Sequence, residues 1–125
     1  MITYSTGPPD KPQPPTMSIN NKFVRVSWTA PVNNYEALDA YQIKLSTTSP
    51  DGFVQDTTYC DGANLVIFNR QYCQIPVSLF SDPNYLYKLY AGFEIKAIVA
   101  ARNKNGWGPF SQPSTTGAQL ETLPN

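Results

Sequence analysis

Proline and glycine recur along the whole of this chain, and they decide what it can fold into. With 12 Pro and 7 Gly in 125 residues, few windows hold an ordinary helix of about 11 residues, whereas strands of about 5 fit between the breaks. The best helix-like stretch, Tyr35 to Ala40, is too short to be stable alone and separates two strand patterns, so it reads as a loop with at most one turn. The pattern is all-β.

The strands follow from two-residue alternation. Met17 and Ile19 start a short one, and Asn20-Asn21 supplies a turn. Val24, Val26 and Trp28 then share one face with Arg25 and Ser27 on the other, the signature of a half-buried antiparallel strand. Pro31 closes that run and Tyr41 to Ser46 repeats it. Ser49-Pro50-Asp51-Gly52 is a turn signal leading to a strand over Phe53–Tyr59. After the Asp61-Gly62 turn and the apolar run Leu65 to Phe68, Cys73, Ile75, Val77 and Leu79 alternate, with Pro76 placing that strand at a sheet edge. The aromatic segment Phe80 to Gly92 reads as an ordered connection without an assigned backbone. Ile95, Ala97, Val99 and Ala101 form the cleanest alternation, and a weak last strand runs through Ser111 to Leu123. About seven short strands in one domain describe a β-sandwich anchored by an early Trp.

Composition excludes several functions. Nine basic residues balance nine acidic ones, and the basic residues stand singly from Lys11 to Lys104, which argues against nucleic acid or an anionic lipid surface as partner. No run approaches the ~20 apolar residues of a membrane span, so no membrane insertion is expected. The chain has no His, which removes His-dependent triads, imidazole metal sites and histidine switching. Carboxylates and Lys are the remaining catalytic material.

The order Pro12-x-Pro14-Pro15, Val26-x-Trp28-x-x-Pro31, Tyr41-x-Ile43 and Val99-x-Ala101-x-Asn103-x-x-Gly106-x-Gly108-x-x-Ser111 resembles the fibronectin type III domain, from about Pro14 to Leu123. The resemblance implies a seven-stranded, immunoglobulin-like sandwich over 14–123, preceded by a proline-rich lead over 1–13. It makes Trp28, Tyr41, Ile43, Leu89, Ile95 and Val99 core anchors, and Asn103 to Gly108 the loop between the last two strands. One departure is that the family's corner tyrosine falls on Ile95, so its hydrogen bond cannot form in the usual way. A second is the pair Cys60 and Cys73 with the long segment Phe80 to Lys88. The string Cys73-x-Ile75-Pro76 followed by Gly92-x-x-Ile95 is similar to a variant repeated in large surface proteins of ciliates and related protists.

Cys60 and Cys73 lie 13 residues apart, ending one strand and opening another, so a hairpin brings their β-carbons within bridging reach and a disulfide is expected. The alternative is two buried free thiols in a cytosolic protein. Two thiolates without His fall short of the four ligands zinc takes, so no metal is expected. Glu36 and Asp39 form the nearest acidic pair, and a polar loop leaves such carboxylates solvated rather than catalytic. No catalytic residue and no cofactor are assigned. No Asn-x-Ser/Thr sequon occurs.

In the resembled fold the loop carrying Tyr35 and the loop carrying Trp107 emerge at one end, with Phe110 near them. These aromatics form either a contact patch or a cover over the sandwich rim. The expected function is a non-catalytic, extracellular or cell-surface interaction and spacer module, one repeat of a tandem array. Its partners would be neighbouring domains of the same chain, other surface proteins or glycans, and the isolated domain would be monomeric. The rivals are a carbohydrate-binding accessory module of a secreted enzyme and an intracellular cytoskeletal repeat.

Overall fold

The computed structural model describes residues 6–20, 22–46, 52–82, 84–87, 89, 94–114 and 118–119. The turns at Asn20-Asn21 and Ser49 to Gly52, and much of the last strand expected through Ser111 to Leu123, lie partly or wholly outside the described residues.

Two antiparallel sheets face each other. In the first, β1 (Thr16–Asn20), β2 (Phe23–Ser27) and β5 (Tyr72–Pro76) lie in the order β1-β2-β5. The second takes β3 (Ala40–Ser46), β4 (Phe53–Gln55), β7 (Ala97–Asn103) and β8 (Gly106–Trp107) in the order β4-β3-β7-β8, while β6 (Glu94–Ile95) pairs with β9 (Ala118–Gln119). Alternation puts Val24, Val26, Cys73 and Ile75 of the first sheet against Tyr41, Ile43, Leu45, Ala97, Val99 and Ala101 of the second, all buried. Leu89 and Ile95 join this core. Trp28, 6% exposed, packs edge-on against Tyr41 at 5.5 Å, and Tyr41 makes a tilted ring contact with Phe68 at 5.2 Å.

Several elements depart from strand alternation for local reasons. The strand expected over Phe53–Tyr59 stops at Gln55 because the Asp56 carboxylate accepts the backbone N–H groups of Thr58 and Tyr59 and turns the chain. The apolar run Leu65 to Phe68 is helical, as α1 (Leu65–Arg70). Asn64 caps it by accepting from Val66 N and Ile67 N, and Gln71 ends it in the left-handed region at φ 62°. A helix of six residues is unstable alone, and here both flanks are fastened. Gln71 O accepts from Trp28 N, Gln71 Oε1 accepts from Ala30 N, and Cys60 and Cys73 close the loop around it.

β5 runs only to Pro76 and gives way to a 3-10 turn over Val77–Phe80, where alternation had extended the strand to Leu79. It sits at the edge of its sheet, so the missing proline donor leaves no ladder bond unmade. Of the weak last strand expected through Ser111 to Leu123, the described residues contain β9, while 111–114 are not in a strand. Pro109 and Pro113 remove donors, and Ser111 and Ser114 run along β7 with their hydroxyls accepting from Val99 N and Ala97 N.

Trp28→Ala should cost about 3–5 kcal/mol as a large-to-small core change, and Trp107→Ala, at a site 44% exposed, should stay below about 1 kcal/mol. Urea melts of the two variants compare them, and equal losses would place Trp107 in the core.

Candidate functional site

At one end of the sandwich three stretches of chain are drawn together. Trp107 on β8 stands opposite Arg102 on β7, whose guanidinium carbon lies 5.4 Å from the indole centre. Arg102 Nε also donates to Asp39 Oδ1 at 2.8 Å, tying the β7–β8 hairpin to the loop between β2 and β3. Lys104 Nζ, 3.5 Å from Glu36 Oε2, makes a second tie. The acidic pair singled out in the sequence thus faces one cation each. Exposed pairs of this kind contribute about 0.2–1 kcal/mol, so they orient the loops more than they stabilise them. Among the described residues no group of three acidic or Cys side chains is placed to hold a metal ion.

The three aromatics of the expected patch take different settings. Tyr35 is 66% exposed on the β2–β3 loop, with φ 68°. Trp107 connects to that loop through Arg102 and Asp39. Phe110 lies beneath Lys44, whose Nζ is 5.0 Å from the ring centre, on the face of the second sheet. Only the first two belong to the loop end.

The third stretch is the proline-rich lead. Asn103 Nδ2 donates to Gly7 O at 2.8 Å and to Asn33 O at 3.0 Å, clamping lead and loop with one amide. Asn34 Nδ2 donates to Pro8 O and Asp10 Oδ1, and Asp10 N donates to Val32 O at 2.9 Å. Pro9, Pro12 and Pro15 are buried, and a side chain at position 108 would run into the Pro9 carbonyl, which accounts for Gly108. Proline supplies a pre-extended backbone, so this seating costs less ordering entropy than a flexible lead would lose.

A second cluster was not legible in the sequence. Asp56 is fully buried. Its Oδ1 accepts from Thr58 N, Tyr59 N and the Tyr85 hydroxyl, while Oδ2 accepts from Tyr85 and, at 2.8 Å, from the Tyr87 hydroxyl. Tyr87 stacks on Phe80 at 4.4 Å and is wholly buried. Burial first, and then the hydrogen bond to the Asp56 carboxylate, push the Tyr85 and Tyr87 hydroxyls up from the usual tyrosine range, while burial alone raises Tyr41. The turn after β4 is thereby joined to the segment that follows the 3-10 turn. Cys60 N donates to Asp56 O at 2.8 Å, placing the cluster beside the Cys60–Cys73 disulfide, whose Cα atoms are 5.2 Å apart.

No protein-family model and no curated protein matches this chain in sequence. Its backbone superposes on the sixth fibronectin type III domain of human fibronectin type III domain containing protein 3 with a TM-score of 0.65, at 17% identity, over 98% of this chain and 95% of that one. The fold is that of a fibronectin type III domain. The chicken CNTN1 FN1–FN3 domains give 0.61 at 19% identity over 92% of this chain, and a run of titin domains gives 0.64 at 16% identity over 94%. The chain spans 34% of each of those two longer structures. No described helix is long and apolar enough to cross a membrane.

Raised tyrosines contribute stability that is fully present below the ordinary value of 10.0 and is lost as pH rises through the folded-state values. An absorbance titration at the phenolate band should therefore show Tyr41, Tyr85 and Tyr87 ionising only as the fold melts in alkali; normal titration of all 8 tyrosines in the folded protein would refute the cluster. Replacing both cysteines by Ser should cost about 3 kcal/mol on the loop-closure argument, read by denaturant melts alongside intact mass with and without reductant.

Proposed function

We propose that this domain is a non-catalytic interaction and spacer module of a multidomain extracellular or cell-surface protein. The observation that carries the reading is the seated lead. Hydrogen bonds from Asn34, Asn103 and Asn105 to Pro8 and Gly7 carbonyls fix the direction in which the chain arrives at the sandwich. A preceding domain would then be held in line instead of swinging on a free tether, with small contacts between neighbours and an isolated domain that is monomeric. The lead that the sequence assigns to residues 1–13 acts in this reading as part of the rigid body from Gly7 onward.

The disulfide favours an oxidising compartment over a cytoskeletal setting. The likeness to titin, at 16% identity, concerns the fold. The cysteine-bearing variant of ciliate and protist surface proteins fits this reading through Cys73-x-Ile75-Pro76. Exposed Tyr35 and half-exposed Trp107 are the residues through which the loop end would touch a neighbouring domain or another surface protein.

Small-angle scattering on two copies joined in tandem tests the spacer reading. An elongated in-line particle is expected, and Asn103→Ala should broaden its distance distribution by freeing the lead. Two sandwiches packed side by side would overturn the proposal.

A further inference from the structure

The hairpin that clamps the lead also carries the chain's only Asn-Gly pair. Asn105 and Gly106 stand at its tip, whereas every other internal asparagine precedes a residue with a side chain. The register pairs Asn103 of β7 with Gly106 of β8, so Lys104 and Asn105 make the turn itself. Gly106 takes φ 120°, a backbone conformation open to glycine. A β-carbon placed there would meet nothing within 4 Å, so that side of the peptide joining the two residues is open to water.

Two amides of this hairpin reach the lead, and they are held unequally. Asn103 is buried, donates to Gly7 O at 2.8 Å and to Asn33 O at 3.0 Å, and accepts at Oδ1 from Asn105 N at 2.8 Å. Asn105 is exposed, and its Nδ2 reaches the same Gly7 carbonyl at 3.4 Å, beyond the usual range. That is the only hydrogen bond of its side chain among the described residues. An amide held so loosely is free to turn its Cγ toward Gly106 N.

We propose that Asn105 is a site of deamidation that releases the lead from the sandwich. Gly106 N gives up its proton to base and attacks Asn105 Cγ; the Cγ–Nδ2 bond breaks and Nδ2 leaves as ammonia, closing a cyclic imide. Water then opens the ring at either carbonyl, giving aspartate or isoaspartate, and no oxidant or cofactor enters. A side chain on the following residue obstructs the ring closure, which sets Asn105 apart from the other asparagines.

Both products exchange the amide donor for a carboxylate that faces Gly7 O as a second acceptor, so an attraction becomes a repulsion. The new charge also competes with Glu36 for Lys104, whose Nζ lies 3.5 Å from Glu36 Oε2. Isoaspartate lengthens the backbone by a methylene between Asn103 and Gly106, and β8 has only two residues with which to keep its register. The lead clamp and the loop tie therefore loosen together. The modification rests on the chemistry of this hairpin alone, and its effect on the direction of a preceding domain rests on the spacer reading.

Ageing the whole chain in warm, mildly alkaline buffer tests it. Peptide mapping by mass spectrometry, with isoaspartyl methyltransferase labelling to count isoaspartate, should find deamidation at Asn105 at least about tenfold ahead of every other internal asparagine. Hydrogen exchange at the Asp10 amide, which donates to Val32 O where the lead is seated, should accelerate severalfold in the aged chain. Asn105→Gln and Asn105→Ser, each confirmed as folded by its unfolding curve, should show no such change on ageing. Deamidation at Asn105 no faster than elsewhere, or Asp10 exchange unaltered after it, would overturn the proposal. Ageing two copies joined in tandem separates the two readings: a freed lead with an unchanged scattering profile would count against the spacer and leave the deamidation site standing.

Discussion

A carboxylate removed from water persists only where the protein replaces its hydration, and Asp56 is the point on which the rest of this structure turns. It is fully buried and receives two backbone N–H groups and two tyrosine hydroxyls. A buried carboxylate left without such partners would cost several kcal/mol, so the network is satisfied as a unit or not at all. This requirement stops β4, folds the chain toward Cys60 and pins the Tyr85–Tyr87 segment to the sandwich. In the resembled fold a corner tyrosine performs a comparable tie, and here Ile95 occupies that position as an apolar core residue. Tyr87, reaching Asp56 from a different part of the chain, provides the alternative anchor.

The disulfide follows from the same turn. Because Cys60 N bonds to Asp56 O, the sulfur is delivered to β5, and the bridge to Cys73 fastens the loop after β4 to the edge of the first sheet. The short helix α1 exists inside that closed loop, capped by Asn64 and tied through Gln71 to the end of β2 beside Trp28. At the loop end the lead is held by asparagine amides, and the β2–β3 and β7–β8 connections are held by exposed ion pairs. One region is set by a buried charge and a covalent bond, the other by solvent-exposed polar contacts. The loop end is therefore the softer of the two.

How much of this was legible depended on whether a residue's role came from periodicity. The sandwich class, with the alternation of β2, β3 and β7, was readable because inward and outward faces obey a two-residue period. The cysteine pairing was readable from its place between two strands. The helix at Leu65–Arg70 was not, since four apolar residues in a row carry no period, although Asn64 before them and the left-handed Gln71 after them are the local cause. Asp56, Tyr85 and Tyr87 were hidden because their partnership spans about thirty residues of sequence, as the separations of 29 and 31 indicate, and no local pattern marks a carboxylate as buried. The meeting of Arg25 and Arg70 over the Tyr72 ring was equally hidden, because it arises only when β2 pairs with β5.

A double-mutant cycle between Asp56→Asn and Tyr87→Phe, read by denaturant unfolding, tests most directly that the buried carboxylate organises the fold. Hydrogen bonds to a charged group contribute about 1.5–3 kcal/mol, so the two losses should be non-additive by at least about 1 kcal/mol. Losses that add within about 0.3–0.5 kcal/mol would show the two residues to be independent and would contradict the account.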